Sequence, residues 1–159
     1  MSGKTILNKR ILAPWYKRRG IPVIVLDPML DQEWPADFMT ANADEFLALV
    51  TDPTKCRQAA LFVDEGGMSL TKDDKFNVLT TTVRHYGHVT HLISHKGTNL
   101  TPTLRENCST IFCFRISDDY ARDLAKDFAA PQIRDAAHLP AGEFIKADSF
   151  GECIRGRVF

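Results

Sequence analysis

The stretch Ala59-Ala60-Leu61-Phe62-Val63-Asp64-Glu65 decides the fold of this 159-residue chain. Its five apolar residues leave no polar group on either face, which is typical of a strand buried on both sides in a parallel sheet. A carboxylate at the carboxyl end of such a strand faces the crevice in which ligands bind. Asp64 is therefore suited to hold Mg²⁺ through water, and Glu65 to orient or deprotonate an attacking water. The alternative is a strand that ends in two solvated acids.

Outward from this strand, apolar runs and helical spacing alternate along the chain. A further buried strand is predicted over 21–26, and two more strands are predicted over 89–94 and 110–116. Helices are predicted over 6–16, 43–50, 72–86 and 117–128, the first with an irregular end at Pro14. The glycines and apolar residues after Pro140 indicate a closing β-hairpin. The pattern predicts a single α/β domain, residues 1–159, with a mainly parallel sheet.

The composition excludes several classes of protein. Twenty basic and twenty acidic residues cancel, so no global positive field indicates nucleic acid, and any DNA contact must be local. The four cysteines share no C-x-x-C spacing and lie in or beside apolar segments, which predicts reduced core thiols of an intracellular protein. No apolar run approaches the roughly 20 residues of a membrane span. We therefore expect a soluble protein with no stable membrane span.

The start of the chain matches the end of a phosphate-binding loop. Such a loop reads G-x-x-x-x-G-K-[ST]; its backbone N–H groups cradle phosphates, its lysine neutralises them and its hydroxyl binds Mg²⁺. Gly3, Lys4 and Thr5 supply only the Gly-Lys-Thr end of this pattern. Three residues of this kind recur by chance. They gain meaning from the apolar strand that ends in Asp64 and Glu65, because such a strand is the natural partner of the loop.

Three further side chains are candidates for phosphate chemistry. His95 follows the strand predicted over 89–94, where it can sense a γ-phosphate or hold the attacking water; a polar strand end packed against a loop is the alternative. Arg84 and Arg105 are candidates for a guanidinium that stabilises charge on a transferring phosphoryl group. A solvated charge or a structural salt bridge is the alternative for either arginine.

These elements follow one another in a familiar order. The order is Gly3-Lys4-Thr5, the strand into Asp64-Glu65, Arg84-His85-Tyr86-Gly87, His95-Lys96-Gly97, and Leu104-Arg105-Glu106-Asn107 before the apolar run 111–114. It resembles the HerA–FtsK superfamily of DNA-pumping ATPases. Within that group it is most similar to the genome-packaging ATPases of viruses with double-jelly-roll capsids and of membrane-containing phages. The resemblance covers the chain up to about Phe128.

The resemblance implies a three-layer, RecA-like P-loop NTPase of the additional-strand type that uses ATP and Mg²⁺. At the matching positions, Gly3 would belong to the Walker A loop, Lys4 would bind the β- and γ-phosphates, and Thr5 would bind Mg²⁺. Asp64 would be the Walker B acid that also holds the metal, and Glu65 the catalytic base. His95 stands where the family usually has Gln and would be the sensor. Arg105, or alternatively Arg84, would be an arginine finger that reaches a neighbouring subunit.

The resemblance also implies partners. Members of the family form ring oligomers, commonly hexamers, that thread double-stranded DNA through a central pore. It therefore implies double-stranded DNA, further copies of this chain and a capsid or vertex protein as partners, and the host cytoplasm or the virion as the location.

The family's pattern has an apolar strand and a first P-loop glycine ahead of Gly3, which this sequence lacks. We therefore expect that the true start lies upstream, with Walker A truncated here. The leading hypothesis is an ATP-driven DNA translocase that packages a viral genome. An assembly ATPase of filamentous phages or of conjugation is the alternative with the same chemistry. A degenerate P-loop domain that binds partners without hydrolysing ATP is the alternative of another class.

Overall fold

The structure, a computed structural model, describes residues 3–64 and 73–159. Its α-helices are α1 (Gly3–Ile6), α2 (Ala13–Arg18), α3 (Ala43–Val50), α4 (Pro102–Glu106) and α5 (Asp118–Asp127). A π-helical segment occupies Leu7–Leu12, and 3-10 helices occupy Asp74–Leu79, Val83–Tyr86, Gly97–Asn99 and Pro131–His138. The strands are β1 (Val23–Leu26), β2 (Phe38–Thr40), β3 (Ala60–Asp64), β4 (Val89–Ile93), β5 (Thr110–Phe114), β6 (Glu143–Asp148) and β7 (Cys153–Arg157).

The chain divides into two compact units. The parallel-sheet unit comprises Asn8–Leu104, and the hairpin unit comprises Arg105–Phe159 together with residues 3–7. In the described part of the chain, no helix is both long and apolar enough to cross a membrane.

The parallel-sheet unit contains the strand predicted from residues 59–65. Its sheet has the order β2-β1-β3-β4, and all neighbouring pairs are parallel. β1 and β3 are buried on both faces, as their apolar sequences require, with every residue of Val23–Leu26 and of 60–63 below a tenth exposed. One face packs against α3 through Phe46 and Val50. The other packs against Ala13 and Trp34. The prediction of an α/β fold with a parallel sheet is confirmed for this unit.

The hairpin unit holds an antiparallel sheet of order β5-β6-β7. The predicted closing hairpin is confirmed as β6 and β7. α5 and the 3-10 helix Pro131–His138 cover this sheet through Leu124, Ile133 and Leu139, which pack with Cys113 and Ile145. α5 begins and ends within a residue of its predicted bounds.

Two sequence-based predictions need correction. The apolar run at 110–116 does form a strand, but β5 pairs antiparallel with β6 and not with the parallel sheet. The helix predicted over 72–86 is, in its described part, two 3-10 helices separated by Thr80–Thr82. The hydroxyls of Thr80 and Thr81 both donate to the carbonyl of Asn77, at 3.4 and 2.9 Å. Such local bonds compete with α-helical hydrogen bonds, and β-branched residues lower helix propensity further.

The first helical region also differs from its prediction. Helical backbone runs from Gly3 to Arg18, longer than the predicted 6–16, and its middle is a π-helix. Pro14 does not end it, since the helical backbone continues through α2 to Arg18.

Candidate functional site

The carboxyl edge of the parallel sheet carries two of the predicted site residues. Asp64 is the last residue of β3 and is paired in register with Ile93, the last residue of β4. Asp64 is half-buried, whereas His95, two residues beyond β4, is exposed. The structure thus brings the Asp64 and His95 positions to the same edge of the sheet. Glu65, the predicted catalytic base, lies outside the described residues.

Asp27 follows β1 at this same edge and is buried, with 2% of its surface exposed. Its carboxylate accepts hydrogen bonds from the backbone N–H groups of Met29 and Asp31, at 2.9 and 3.1 Å, and from the indole N–H of Trp34, at 3.1 Å. A buried carboxylate must be satisfied in this way. Asp27 therefore fixes the loop that leaves the sheet next to the strand of Asp64.

Lys9, in the π-helical segment, contacts this loop through Asp31 and was not recognised as a buried residue from the sequence. Its side chain is 4% exposed and forms an ion pair with Asp31. The ammonium also lies 5.3 Å from the ring centre of Trp34. The π-helical segment explains the difference, because its wider turns bury Leu7, Asn8 and Lys9 in succession. The 3.6-residue period of a regular α-helix does not predict the burial of three consecutive residues.

Gly3, Lys4 and Thr5 form the first turn of α1 in the hairpin unit. A Cβ atom on Gly3 would lie 2.4 Å from Cε1 of Phe114, so the ring on β5 leaves no room for a side chain there. Lys4 is half-buried near Cys113. Burial raises the pKa of the Cys113 thiol to about 11, and the positive charge of Lys4 opposes that rise. The glycine of the Gly-Lys-Thr element is thus required by close packing.

The two arginine-finger candidates lie in different environments. The Arg105 guanidinium donates to the carboxylate of Asp127 at 2.9 Å, with 27% of its side chain exposed. Its Nε is buried and has no hydrogen-bond partner among the described residues. Arg84 is exposed in the 3-10 helix that precedes β4. Arg84 therefore lies at the amino edge of the parallel sheet, opposite the edge of Asp64.

Lys4 and Thr5 belong to the hairpin unit, and Asp64 belongs to the parallel-sheet unit. Among residues 3–64 and 73–159, no group of three or more His, Cys, Asp or Glu side chains is placed to hold a metal ion. Mg²⁺ in phosphate sites commonly has only one or two protein ligands and completes its shell with phosphate and water.

Several solved structures share the fold of this chain. The genome packaging NTPase B204 of Sulfolobus turreted icosahedral virus 2, in complex with AMPPCP, matches with a TM-score of 0.81 at 16% sequence identity, over 98% of this chain and 91% of that chain. The same NTPase with ATP-gammaS matches with a TM-score of 0.76 at 17% identity and the same coverage. This chain has the fold of a genome-packaging NTPase.

The same fold recurs in B204, the DNA-packaging ATPase of Sulfolobus turreted icosahedral virus. That structure gives a TM-score of 0.79 at 16% identity, again over 98% of this chain and 91% of that one. No family model matches the sequence, and no curated protein matches it significantly. The likeness to the packaging NTPases is therefore one of fold.

Proposed function

We propose that this chain is an ATP-hydrolysing NTPase that packages a viral genome. The observation that carries the proposal is the match to B204 over 98% of the chain, together with Asp64 at the carboxyl end of the buried strand β3. Ligands of parallel α/β sheets bind beyond the carboxyl ends of the strands. The chain also has the Lys-Thr pair that a phosphate loop requires.

In this proposal each residue has one role. The Lys4 ammonium neutralises the β- and γ-phosphates, and Gly3 allows the loop backbone to approach the phosphates closely. The Thr5 hydroxyl and the Asp64 carboxylate hold the Mg²⁺ ion, which would neutralise charge on the phosphates when bound. Glu65 orients the attacking water and accepts its proton. His95 follows β4 at the edge where β3 ends in Asp64, which supports a sensor role.

The trans-acting arginine is assigned to Arg105 or Arg84. Arg105 is ion-paired with Asp127, so a finger role for Arg105 requires this ion pair to open. Either assignment requires that copies of this chain assemble into a ring, commonly a hexamer.

The wider biology belongs to the same proposal. We assign the chain to the HerA–FtsK group, with a three-layer RecA-like core, double-stranded DNA as the polymer that is moved, and a capsid or vertex protein as the docking partner. Its location would be the host cytoplasm or the virion. The named packaging role of the B204 proteins supports this assignment.

Magnesium-dependent ATP hydrolysis, measured with and without duplex DNA, tests the proposal. Lys4→Ala and Glu65→Gln should each lower the rate about 100-fold or more, because each removes charge stabilisation or proton transfer in the transition state. Lys126→Ala and Glu152→Gln are matched controls, since both side chains are exposed, and they should retain the wild-type rate.

The two readouts separate the alternatives. Absence of hydrolysis in the wild-type chain would favour a degenerate P-loop domain. Hydrolysis that is indifferent to DNA would contradict packaging, because a translocase couples hydrolysis to the polymer that it moves.

A further inference from the structure

Charge is distributed unevenly between the two edges of the parallel sheet. The segments that follow the strands carry mostly acids, namely Asp27, Asp31, Glu33, Asp44, Glu45 and Asp64. The segments that precede the strands carry mostly bases, namely Lys17, Arg18, Arg19, Lys55, Arg57, Arg84 and His85. Because parallel strands all start at one edge, these bases gather at the amino edge of the sheet. A chain with no net charge therefore has one locally basic edge.

Backbone hydrogen bonds fix the basic segments to one another. The N–H of Gln58 donates to the carbonyl of Tyr86 at 3.0 Å, which joins the segment of Arg57 to that of Arg84. The N–H of Ala60 donates to the carbonyl of Pro22 at 2.8 Å, which joins β3 to the segment after Arg19. The arginines are therefore carried on one rigid edge and not on separate loops.

Most of this positive charge is not neutralised. Lys17 pairs with Asp37 at 2.5 Å, and Lys55 pairs with Asp52 at 3.6 Å. By contrast, no ion pair within residues 3–64 and 73–159 involves the four arginines of this edge. These arginines, Arg18, Arg19, Arg57 and Arg84, are all exposed. We call them the amino-edge arginines.

The amino edge is also concave. A depression of about 430 Å³ opens there, lined by Arg19 and Arg57 together with Tyr16, Gly20, Gln58 and Gly87. The guanidinium of Arg19 stacks on the ring of Trp15, 3.6 Å from its centre, and donates to the Trp15 carbonyl at 3.2 Å. This stacking holds one guanidinium in place, so less side-chain entropy is lost when it binds an anion.

We propose that the amino-edge arginines form a binding surface for the phosphate backbone of duplex DNA, separate from the nucleotide site at the opposite edge. Several exposed guanidinium groups on a rigid edge match an array of phosphates, which is bound through charge and bidentate hydrogen bonds. Contacts to phosphates position the protein on the duplex without reading its bases. This suits a motor that moves DNA of any sequence. The choice of DNA as the polyanion rests on the proposed function, whereas the charge asymmetry does not.

The salt dependence of DNA binding tests this surface directly. Binding of a fluorescent duplex is titrated from about 50 to 200 mM salt with the full chain, because each phosphate contact contributes about −0.9 to the slope of log K against log salt. The double variant Arg19→Gln/Arg57→Gln should reduce the magnitude of the slope by about 1.8. Arg18→Gln/Arg57→Gln should reduce it equally while leaving the stack of Arg19 on Trp15 intact.

A matched variant controls for net charge. Arg122→Gln/Arg134→Gln removes two exposed arginines of the hairpin unit and should keep the wild-type slope. An equal loss in this control, unchanged slopes in both amino-edge variants, or a wild-type chain that does not bind duplex DNA at about 50 mM salt would each overturn the proposal. Unchanged DNA affinity with a loss of self-association would also overturn it and identify the edge as a subunit contact.

Nucleotide binding measured on the same samples keeps the two proposals apart. Arginine-dependent DNA binding without nucleotide binding counts against the proposed NTPase function alone. Nucleotide binding with arginine-independent DNA binding counts against this surface alone.

Discussion

His91, on the outer strand β4 of the parallel sheet, stacks on Phe62 with ring centres 4.6 Å apart and planes 11° from parallel. The two residues are register partners on β4 and β3. The Tyr16 hydroxyl lies 2.9 Å from Nε2 of the imidazole, so a polar ring is accommodated against the core. Burial lowers the pKa of His91 to about 4 and raises that of Tyr16.

His91 should make folding sensitive to mild acid. Its pKa is about 4 in the folded chain, against 6.5 for an unperturbed histidine, so the unfolded chain binds more protons between these values. Stability is therefore full above about pH 6.5 and falls as pH drops toward 4, by about 2 kcal/mol at pH 5 from this group alone. Urea unfolding of His91→Gln across this range should show a shallower pH dependence than wild type.

His85→Gln is the control, because His85 is exposed and should leave the pH dependence unchanged. Burial also lowers the pKa of His88, so part of the acid sensitivity should persist in His91→Gln. A pH profile identical to that of wild type would contradict the assignment.

The ion pair of Lys9 and Asp31 should respond unequally to loss of its two partners. Lys9 is 4% exposed and Asp31 is 37% exposed. Asp31→Asn leaves a buried, unpaired ammonium, which is strongly unfavourable, whereas Lys9→Met leaves a carboxylate that water reaches. Asp31→Asn should therefore lower the urea midpoint more than Lys9→Met. The double variant should return to the midpoint of Lys9→Met, and additive losses would show that the pair is not coupled.

Gly3→Ala should destabilise the hairpin unit through its contact with Phe114. The added Cβ would lie 2.4 Å from Cε1 of that ring, and overpacking of this kind costs about 1 to 3 kcal/mol. The cost should fall when the substitution is made in a Phe114→Ala background, as measured by thermal unfolding of all four chains. Equal costs in both backgrounds would place the origin of the effect outside this contact.

The sequence predicted the buried strands well because burial on both faces leaves a clear pattern. β1 and β3 begin and end within about two residues of the predicted bounds, since their apolar runs fit little else. β4 also lies within its predicted bounds, although it contains Thr90 and His91 and its first residue is exposed. β2 was missed because its three residues, Phe38–Thr40 at a sheet edge, are too few to show the hydrophobic period of a strand. The run at 110–116 was assigned to the wrong sheet, because apolar composition alone does not distinguish a parallel partner from an antiparallel one.

The positions of Asp64 and His95 at the carboxyl edge of the sheet were predictable because each follows the end of a predicted strand. Lys9 was not, because its burial depends on a π-helical segment that a regular helical period does not predict. The amino-edge arginines were not recognised as a group either. They are scattered over three sequence segments, and only the strand order brings Arg19, Arg57 and Arg84 to one edge.

Direct binding of magnesium–AMPPCP, measured by calorimetry, tests the nucleotide assignment most directly because it does not depend on hydrolysis, DNA or ring assembly. The wild-type chain should bind the nucleotide. Lys4→Ala should bind about 10- to 100-fold more weakly, as expected for loss of a charge-assisted phosphate contact, and Lys126→Ala should match wild type. A wild-type chain that does not bind the nucleotide, or equal affinity in Lys4→Ala, would contradict it.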